Sequence, residues 1–418
     1  MRSFLTVLAG VVLSSCSSHT NFAPPASDAQ AAVARGTPQY SETVLYNFSS
    51  PGYGTNYVSP LTPDGHGDYF GTTAVGGTGH GAVYELGPND KGGWKESTLY
   101  VFTGGQDGGT PGLTPVILDK NGYLYGVTHN GGANNDGVAY ELRRSGHTWS
   151  EQVIYTFGVG SDTVGDNPFS FITDSKGKFF GTVDTTESAG WTEAVFELSP
   201  TSSGWTGKDI FVDGIPSATS GGGGLTIDAN ENIFGISSLA FQPSEVFELS
   251  PSGSAWSAKI LYTFPRISVD PEAPPVLDKT GNIYGTTAAG GPADAGTVYE
   301  LTPSPSGPWT RKTLHAFTGG SSDGAAPYAS ITFDGGGNIY GTTAVGGASN
   351  DGTVYELTAS GRRYQSKLLW SFDDKDGSEP FDQVVLDARG DIFGTTTQGG
   401  PSGGCYALAG CGNAFEIK

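Results

Sequence analysis

Seven glycines at nearly even spacing constrain this chain more than any other feature. Gly71, Gly126, Gly181, Gly235, Gly285, Gly341 and Gly394 each follow an aromatic residue, at successive gaps of 55, 55, 54, 50, 56 and 53 residues. Downstream of each lies an aliphatic or aromatic run with one glutamate: Glu85, Glu141, Glu197, Glu248, Glu300, Glu356 and Glu416. A period of this length marks a structural repeat, and recognising it narrows the fold before composition is considered. The cleanest copy, GGNIYGTTAVGGASNDGTVYELT, runs from Gly336 to Thr358.

Each copy holds four short runs rich in Val, Ile, Leu, Thr, Tyr and Phe. In the sixth these are ASITFD (Ala329 to Asp334), NIYGTT, GTVYEL and, on its other side, a run that opens near a Trp or aromatic residue; RKTLHAF (Arg311 to Phe317) ends the fifth. Runs of four to seven residues suit strands and are too short for helices. With the strands named A, B, C and D in that order, four strands in about 54 residues make one propeller blade, and propellers carry about four to eight blades. The chain starts on a D-type run, ETVLYNF (Glu42 to Phe48), and ends on a C-type run, NAFEI (Asn413 to Ile417). The expected fold is therefore all-β: a seven-bladed propeller of four-stranded antiparallel blades, closed by the first strand pairing in the last blade, which leaves no hinge at which the ring opens.

Among the 418 residues are 66 Gly and 25 Pro, and these fall between the strand-like runs as turn punctuation. The repeats cover residues 41–418 as one domain. Ahead of them, Arg2 and the apolar run FLTVLAGVVL are too short for a permanent membrane anchor and read as a signal peptide. Residues 1–16 end in Leu13, Ser14, Ser15 and Cys16, which resembles a bacterial lipobox; Cys16 is then the lipidated first residue of the mature protein. The alternative is an ordinary secretory signal with Cys16 incidental. Ser17 after the cysteine favours the outer membrane or cell surface over inner-membrane retention. Residues 17–40, rich in Ser, Ala and Pro, suit a flexible tether. Cys405 and Cys411 remain, both in the B–C loop of the last blade, and a pair in an exported chain points to a disulfide, worth roughly 2 kcal/mol for so small a loop.

The order A, B, glycine pair, C and a Trp opening D is similar to kelch repeats, although the glycine pair, such as Gly346 and Gly347, stands several residues past strand B. The GTT, GG and GTVYEL segments at Gly285 to Leu301 and Gly341 to Leu357 more closely resemble the GloVer-type tandem-repeat proteins, a family associated with varied surface anchors. The resemblance covers about nine tenths of the chain and implies no particular reaction. Two middle units depart from the pattern: TVDTTESAGWTEAVFEL (Thr182 to Leu198) and ISSLAFQPSEVFEL (Ile236 to Leu249) lack the glycine pair.

Seven equivalent glutamates point to one structural bond per blade, because catalysis needs one or two carboxylates in unlike surroundings. If strands alternate in direction, the D–A and B–C loops share one face. That face holds Asp107, Asp136, Asp323 and Asp351 with few basic residues, so the net charge of −21 concentrates there. An acidic loop face is a solvated surface, a cation site, or a recognition surface for a glycan or protein. Asp374, Asp376 and Glu379 form the best candidate cation cluster, with Ca the fitting ion, although the full spacing of a Ca loop is missing. Trp191 and Phe241 fall in the divergent middle loops; they either pack beneath those loops or offer rings on which a sugar stacks.

Zinc, serine-hydrolase and phosphate-loop motifs are absent from the sequence, and an acidic chain repels nucleic acid. The expected function is that of an exported, lipid-anchored, non-enzymatic binding or scaffold propeller with no required cofactor. Its rival is an exported hydrolase or lyase that uses two face carboxylates, with or without Ca, and needs a cleft in which their pKa values differ. On the lipobox reading, Cys16→Ser is expected to abolish metabolic labelling by palmitate, and a variant that still labels shows the reading to be wrong.

Overall fold

The computed structural model describes residues 40–418 apart from 49–57, 112–113, 160–163, 188–189, 211–223, 238–242, 254, 266–270, 272, 305–306, 362 and 402–409. The signal, Cys16 and most of the tether lie outside the described residues. The chain divides into Met1–Ser41 and Glu42–Lys418, and the fold is that of the second unit. Among the described residues there is no helix.

Seven four-stranded antiparallel blades form a seven-bladed β-propeller, as the repeat predicts. Strand B stands at Tyr69–Thr73, Leu124–Asn130, Phe179–Glu187, Ile233–Ser237, Ile283–Thr287, Ile339–Thr343 and Ile392–Thr395 in blades 1 to 7. Each B strand pairs with its C strand so that the aromatic ahead of the repeat glycine faces the repeat glutamate, as in Tyr340↔Glu356 and Phe70↔Glu85. The ring closes as expected: Glu42–Asn47 is the outer strand of blade 7 and pairs with Asn413–Ile417, Glu42 opposite Ile417 and Val44 opposite Phe415.

The repeat glycine is a seat for a ring. Gly341 lies opposite Tyr355 in the register, and a Cβ at Gly341 would overlap the Tyr355 ring and hydroxyl. Gly71, Gly126, Gly181, Gly235, Gly285 and Gly394 stand in the same relation to Tyr84, Tyr140, Phe196, Phe247, Tyr299 and Phe415. Among the described residues, six of the seated rings are next met by the phenylalanine that follows strand D of the preceding blade. Phe48–Tyr84, Phe102–Tyr140, Phe157–Phe196, Phe264–Tyr299, Phe317–Tyr355 and Phe372–Phe415 pack at centroid distances of 5.0 to 5.4 Å, mostly edge to face. Such pairs add about 0.5–1.5 kcal/mol beyond the area they bury. The hydrophobic core therefore lies in the seams between blades.

Two features escaped the sequence. Strand A is shorter than the run ASITFD suggests, since only Thr332–Phe333 joins the ladder, and the equivalent strand of every blade is two residues long. Residues of this strand and just before it also bond to neighbouring blades: Thr332 Oγ1 donates to the Val384 carbonyl, Thr62 Oγ1 to Val116 O at 2.6 Å and Gln383 Nε2 to Ile331 O at 2.8 Å. The A segments are thus tied to one another at the inner edge of the ring. The second feature is a bulge in strand D of six blades, where Leu45, Leu99, Ile154, Leu261, Leu314 and Leu369 have no partner in the C–D register. A bulge sharpens the local twist, and here it re-aims the aromatic residues that follow toward the next blade.

The A–B turns are fixed by an aspartate in every blade. Asp334 Oδ1 accepts from the Gly336 and Asn338 amides at 2.8 and 2.9 Å, and Asp119, Asp174, Asp228, Asp278 and Asp387 do the same in their turns. Such side-chain turns are the usual work of Asp between strands.

Four seated tyrosines, Tyr84, Tyr140, Tyr299 and Tyr355, bury a hydroxyl with no hydrogen-bond partner, whereas blades 3, 4 and 7 use Phe at the same position. An unpaired buried hydroxyl costs about 1–3 kcal/mol. Tyr355→Phe is accordingly expected to raise stability by about 1 kcal/mol and Gly341→Ala to lower it by about 2 kcal/mol or more, both read as shifts of the urea midpoint. A Gly341→Ala variant as stable as wild type contradicts the ring-seat account.

Candidate binding face

Backbone hydrogen bonds bring the D–A and B–C loops onto one face, as the alternation of strands requires. The amides of Thr110, Asn167, Ala326 and Glu379, in D–A loops, donate to the carbonyls of His80, Asp136, Ala295 and Asp351, in the B–C loops of the blade before, at 2.8 to 3.0 Å. All four donors have positive φ, between 49° and 56°, and all four precede a proline. The residue after each acceptor is a glycine. Gly352, at φ 98°, is the type case: a Cβ there would strike the Pro380 ring, and its own carbonyl accepts from the Phe372 amide at 3.1 Å. Glycine is needed both for the left-handed backbone and for the close approach of the proline.

The aspartates expected on this face are on it, and three of them are pins within their own loops. Asp107 Oδ2 accepts from the Tyr100 hydroxyl at 3.0 Å and the Thr103 amide at 2.9 Å. Asp323 accepts from the Thr318 amide at 2.9 Å and lies 3.4 Å from His315 Nε2. Asp376 accepts from Trp370 Nε1 at 2.9 Å and from the Asp373 amide at 2.8 Å. Tyr100, His315 and Trp370 are equivalent positions of strand D, so this is one device used three times. Burial pulls upward on the Asp107 and Asp323 carboxyls, but their hydrogen bonds outweigh it and hold both below the usual range.

Asp136 and Asp351 belong to the Gly–Pro joint through their carbonyls, and the Asp136 carboxylate is also hydrogen-bonded by Asn134. Burial raises both; Asp351 is raised further by the charges of Asp374, Asp373 and Asp376. Asp374 is exposed, with φ 67°, where the equivalent D–A loops carry Gly104 and Gly319. Glu379 accepts from Gln398 Nε2 at 2.5 Å. Asp374, Asp376 and Glu379 therefore do not converge as one ligand set, and among the described residues no group of three His, Cys, Asp or Glu side chains is placed to hold a metal ion. The sequence spacing did not reveal that Asp376 faces its own Trp370 while Glu379 faces Gln398 in the B–C loop of the next blade.

Phe241 and Cys405 lie outside the described residues; Cys411 is buried and disulfide-bonded. Trp191 sits in a strand and not in a loop: blade 3 extends its B–C hairpin as a continuous ladder from Phe179↔Leu198 to Glu187↔Gly190, with Trp191 opposite Thr186. Loss of the glycine pair removes the turn that ends the ladder in other blades.

Six of the seven strand-C glutamates are bonded in place, each by its own partners; Glu85 is instead raised by burial and then by Asp68. Tyr125 and Tyr340 donate hydroxyls to Glu141 and Glu356 at 2.7 and 3.2 Å, and Lys178, Lys208 and Ser199 surround Glu197. Burial opposes ionisation of Glu197, yet these partners bring it down to about 2. Basic residues gather at this end of the blades with the A–B turns. Among the described residues the ion pairs on the loop face are His315–Asp323 and Lys375–Asp373, so the negative excess stays with the loops.

Four carboxylates that the sequence did not single out titrate near neutrality. Burial, then in turn Asp376 and Asp373, pushes Glu42 up to about 7; burial, then Asp107, does the same to Glu151. Asp184 reaches about 7 through burial and then Asp166. Asp382 reaches about 7 through burial, which the 2.7 Å hydrogen bond from Thr395 only partly offsets. Asp382 lies on the inner segment of blade 7, where blades 1, 3, 5 and 6 place Ser59, Phe169, Ala273 and Ala329. That contrast was the signal available in the sequence, hidden because segment A has no glycine landmark to align it.

The fold and this face together define a repeat-built β-propeller with an acidic loop face. Residues 223–415 match the model of the Gloeobacter/Verrucomicrobia repeat, a span that takes in blades 4 to 7. No curated protein matches the chain. Among solved structures, a protein of unknown function from Dyadobacter fermentans is similar at 11% identity, covering 91% of this chain and 98% of its own, with a TM-score of 0.43. A gluconolactonase from Xanthomonas campestris is similar at 11% identity, with 90% and 89% covered and a TM-score of 0.42. A putative glucose dehydrogenase from Thermus thermophilus is similar at 13% identity, with 72% and 95% covered and a TM-score of 0.42. At these scores the likenesses bear no argument, and the blade count rests on the strand pairing.

A carboxyl whose pKa is raised on folding stabilises the protein fully below its unfolded pKa, near 4, and loses that contribution as pH rises through the folded value. For Glu42, Glu151, Asp184 and Asp382 the loss falls between about pH 4 and pH 7. The turn aspartates Asp278, Asp334 and Asp387 are depressed, burial being outweighed by their hydrogen bonds, and their stabilisation is lost as pH falls below about 4. Maximum stability is thus expected on the acid side of neutrality. Asp382→Asn should raise the Tm at pH 8 and leave it unchanged near pH 4, as scanning calorimetry at both values checks.

Proposed function

We propose that the chain is a non-enzymatic binding or scaffold propeller, exported and held at the cell envelope by a lipid on Cys16, whose loop face meets a positively charged partner. The observation that carries this reading is the group around the seam of blades 6 and 7, where burial, and then the charges of Asp374, Asp373 and Asp376, raise Asp351. Carboxylates that repel one another gain by the approach of a cation or a basic protein surface, which lowers their pKa values and relieves the repulsion. The pinning of Asp107, Asp323 and Asp376 into loop architecture supports a rigid face that needs little ordering on binding. A hydrolase or lyase needs its unequal carboxylates in an open cleft. Glu151 and Asp107 are unequal, but Glu151 is packed between blades among its neighbours' aromatic rings, which favours binding over catalysis.

The test compares thermal unfolding in CaCl2, MgCl2 and NaCl at equal ionic strength, then in a lysine-rich peptide at low salt. A ligand at a hundred times its Kd stabilises by about 2.7 kcal/mol, whereas screening acts alike for every salt. A stabilisation by Ca or peptide that exceeds the NaCl control and is lost in Asp351→Asn with Asp374→Asn is expected. Equal shifts in every condition would leave only a solvated acidic surface.

A further inference from the structure

Every seam between blades repeats the same positions, and two seams can be compared side by side. Between blades 4 and 5, Arg311 of strand D lies against the seated ring pair. Its guanidinium carbon is 5.4 Å from the Tyr299 centroid and 5.6 Å from that of Phe264, and Nη2 donates to Thr297 Oγ1 at 2.8 Å. This seam therefore accepts a planar cation over its aromatic pair, an attraction worth more where the site is desolvated.

Between blades 7 and 1 the ring pair is Phe48 and Tyr84, 5.3 Å apart, close to the 5.4 Å of Phe264 and Tyr299. In the C–D register Glu96 faces Leu86 as Arg311 faces Leu301, and Ala82 takes the place of Thr297. The substitution of Arg by Glu removes the resident cation and reverses the charge, while Phe48 and Tyr84 stay nearly buried, at 7% and 2% exposure. What remains is a recess of about 140 Å³ lined by Tyr46, Phe48, Tyr84, Thr73 and Glu96 among others. The Thr98 hydroxyl donates to Glu96 Oε1 at 2.8 Å and the Tyr46 hydroxyl also bonds this carboxylate, which together orient it. A cavity of about 150 Å³ holds a ligand the size of benzene, so the recess admits a small group and not a chain segment.

We propose that the recess at the seam of blades 7 and 1 binds a small guanidinium or alkylammonium group, held against the edges of Phe48 and Tyr84 at the position equivalent to that of Arg311 in the blade 4–5 seam, and neutralised by Glu96. The group belongs either to a free amine or guanidine or to an arginine side chain presented by another protein. The site is separate from the Asp351 cluster and does not depend on the reading of the loop face.

Isothermal titration of the full chain with agmatine, against NaCl at equal ionic strength, tests the site. Saturable binding is expected, weakened about tenfold in Glu96→Gln and abolished in Ala82→Thr with Glu96→Arg, which rebuilds the blade 5 arrangement. The Tm of each variant is measured alongside, and Glu96→Gln at wild-type Tm decides the matter if the double variant does not fold. Competition by an acetylated, amidated Gly-Arg-Gly peptide supports an arginine side chain as the occupant; agmatine binding without competition supports a free small cation. Absence of agmatine binding, or binding unchanged in Glu96→Gln, overturns the proposal.

Discussion

The propeller depends on one contact, an aromatic ring of strand C lying across a glycine of strand B. The glycine gives the ring a place within its own sheet, and the ring then offers its edge or face to the phenylalanine of the preceding blade. No single blade has a core without this arrangement, because its four short strands bury apolar surface only against a neighbour. The bulge in strand D serves the same contact, since it delivers the Tyr–Phe pair across the seam. Closure by Glu42–Asn47 completes the set, placing Phe48 on Tyr84 where the first and last blades meet.

On the loop face the repeating unit is a joint of backbone. A left-handed residue before a proline donates to a carbonyl of the neighbouring blade, and a glycine clears space for the proline ring. Asp107, Asp323 and Asp376 tighten the same loops through strand-D partners of three different chemistries, a phenol, an imidazole and an indole. Such aspartates cannot be distinguished by residue type from those that repel one another and are open to a partner. Hydrogen-bond supply separates them: a carboxylate with donors on its oxygens is held ionised, and one that is buried with few donors is raised.

The seams show how a repeat acquires individual sites without losing its fold. Among the described residues six seams share the ring pair, whereas the strand-D position opposite the C-strand Leu or Ile varies among Glu42, Glu96, Glu151, Ala258, Arg311 and Ser366. Packing tolerates these changes because the position lies at the outer side of the ring pair. Charge and free volume in each seam are therefore set by a single residue.

The sequence by itself determined the number of blades, their four strands and the closure by the first strand, because each follows from local patterns: a glycine after an aromatic, an alternating run, a terminus that begins on D and ends on C. It also pointed to one structural bond per strand-C glutamate, which six of the seven make. The two-residue A strands, the bulge, the ladder through Trp191 and the separate partners of Asp374, Asp376 and Glu379 were decided by tertiary structure. Each depends on what a neighbouring blade supplies, a carbonyl for Thr332, a ring for the residues after Leu314, a donor for Glu379. Glu42, Glu151, Asp184 and Asp382 are the extreme case, since burial is the largest contribution to each of their shifted pKa values. Burial is a property of the closed ring, and no window of sequence contains it.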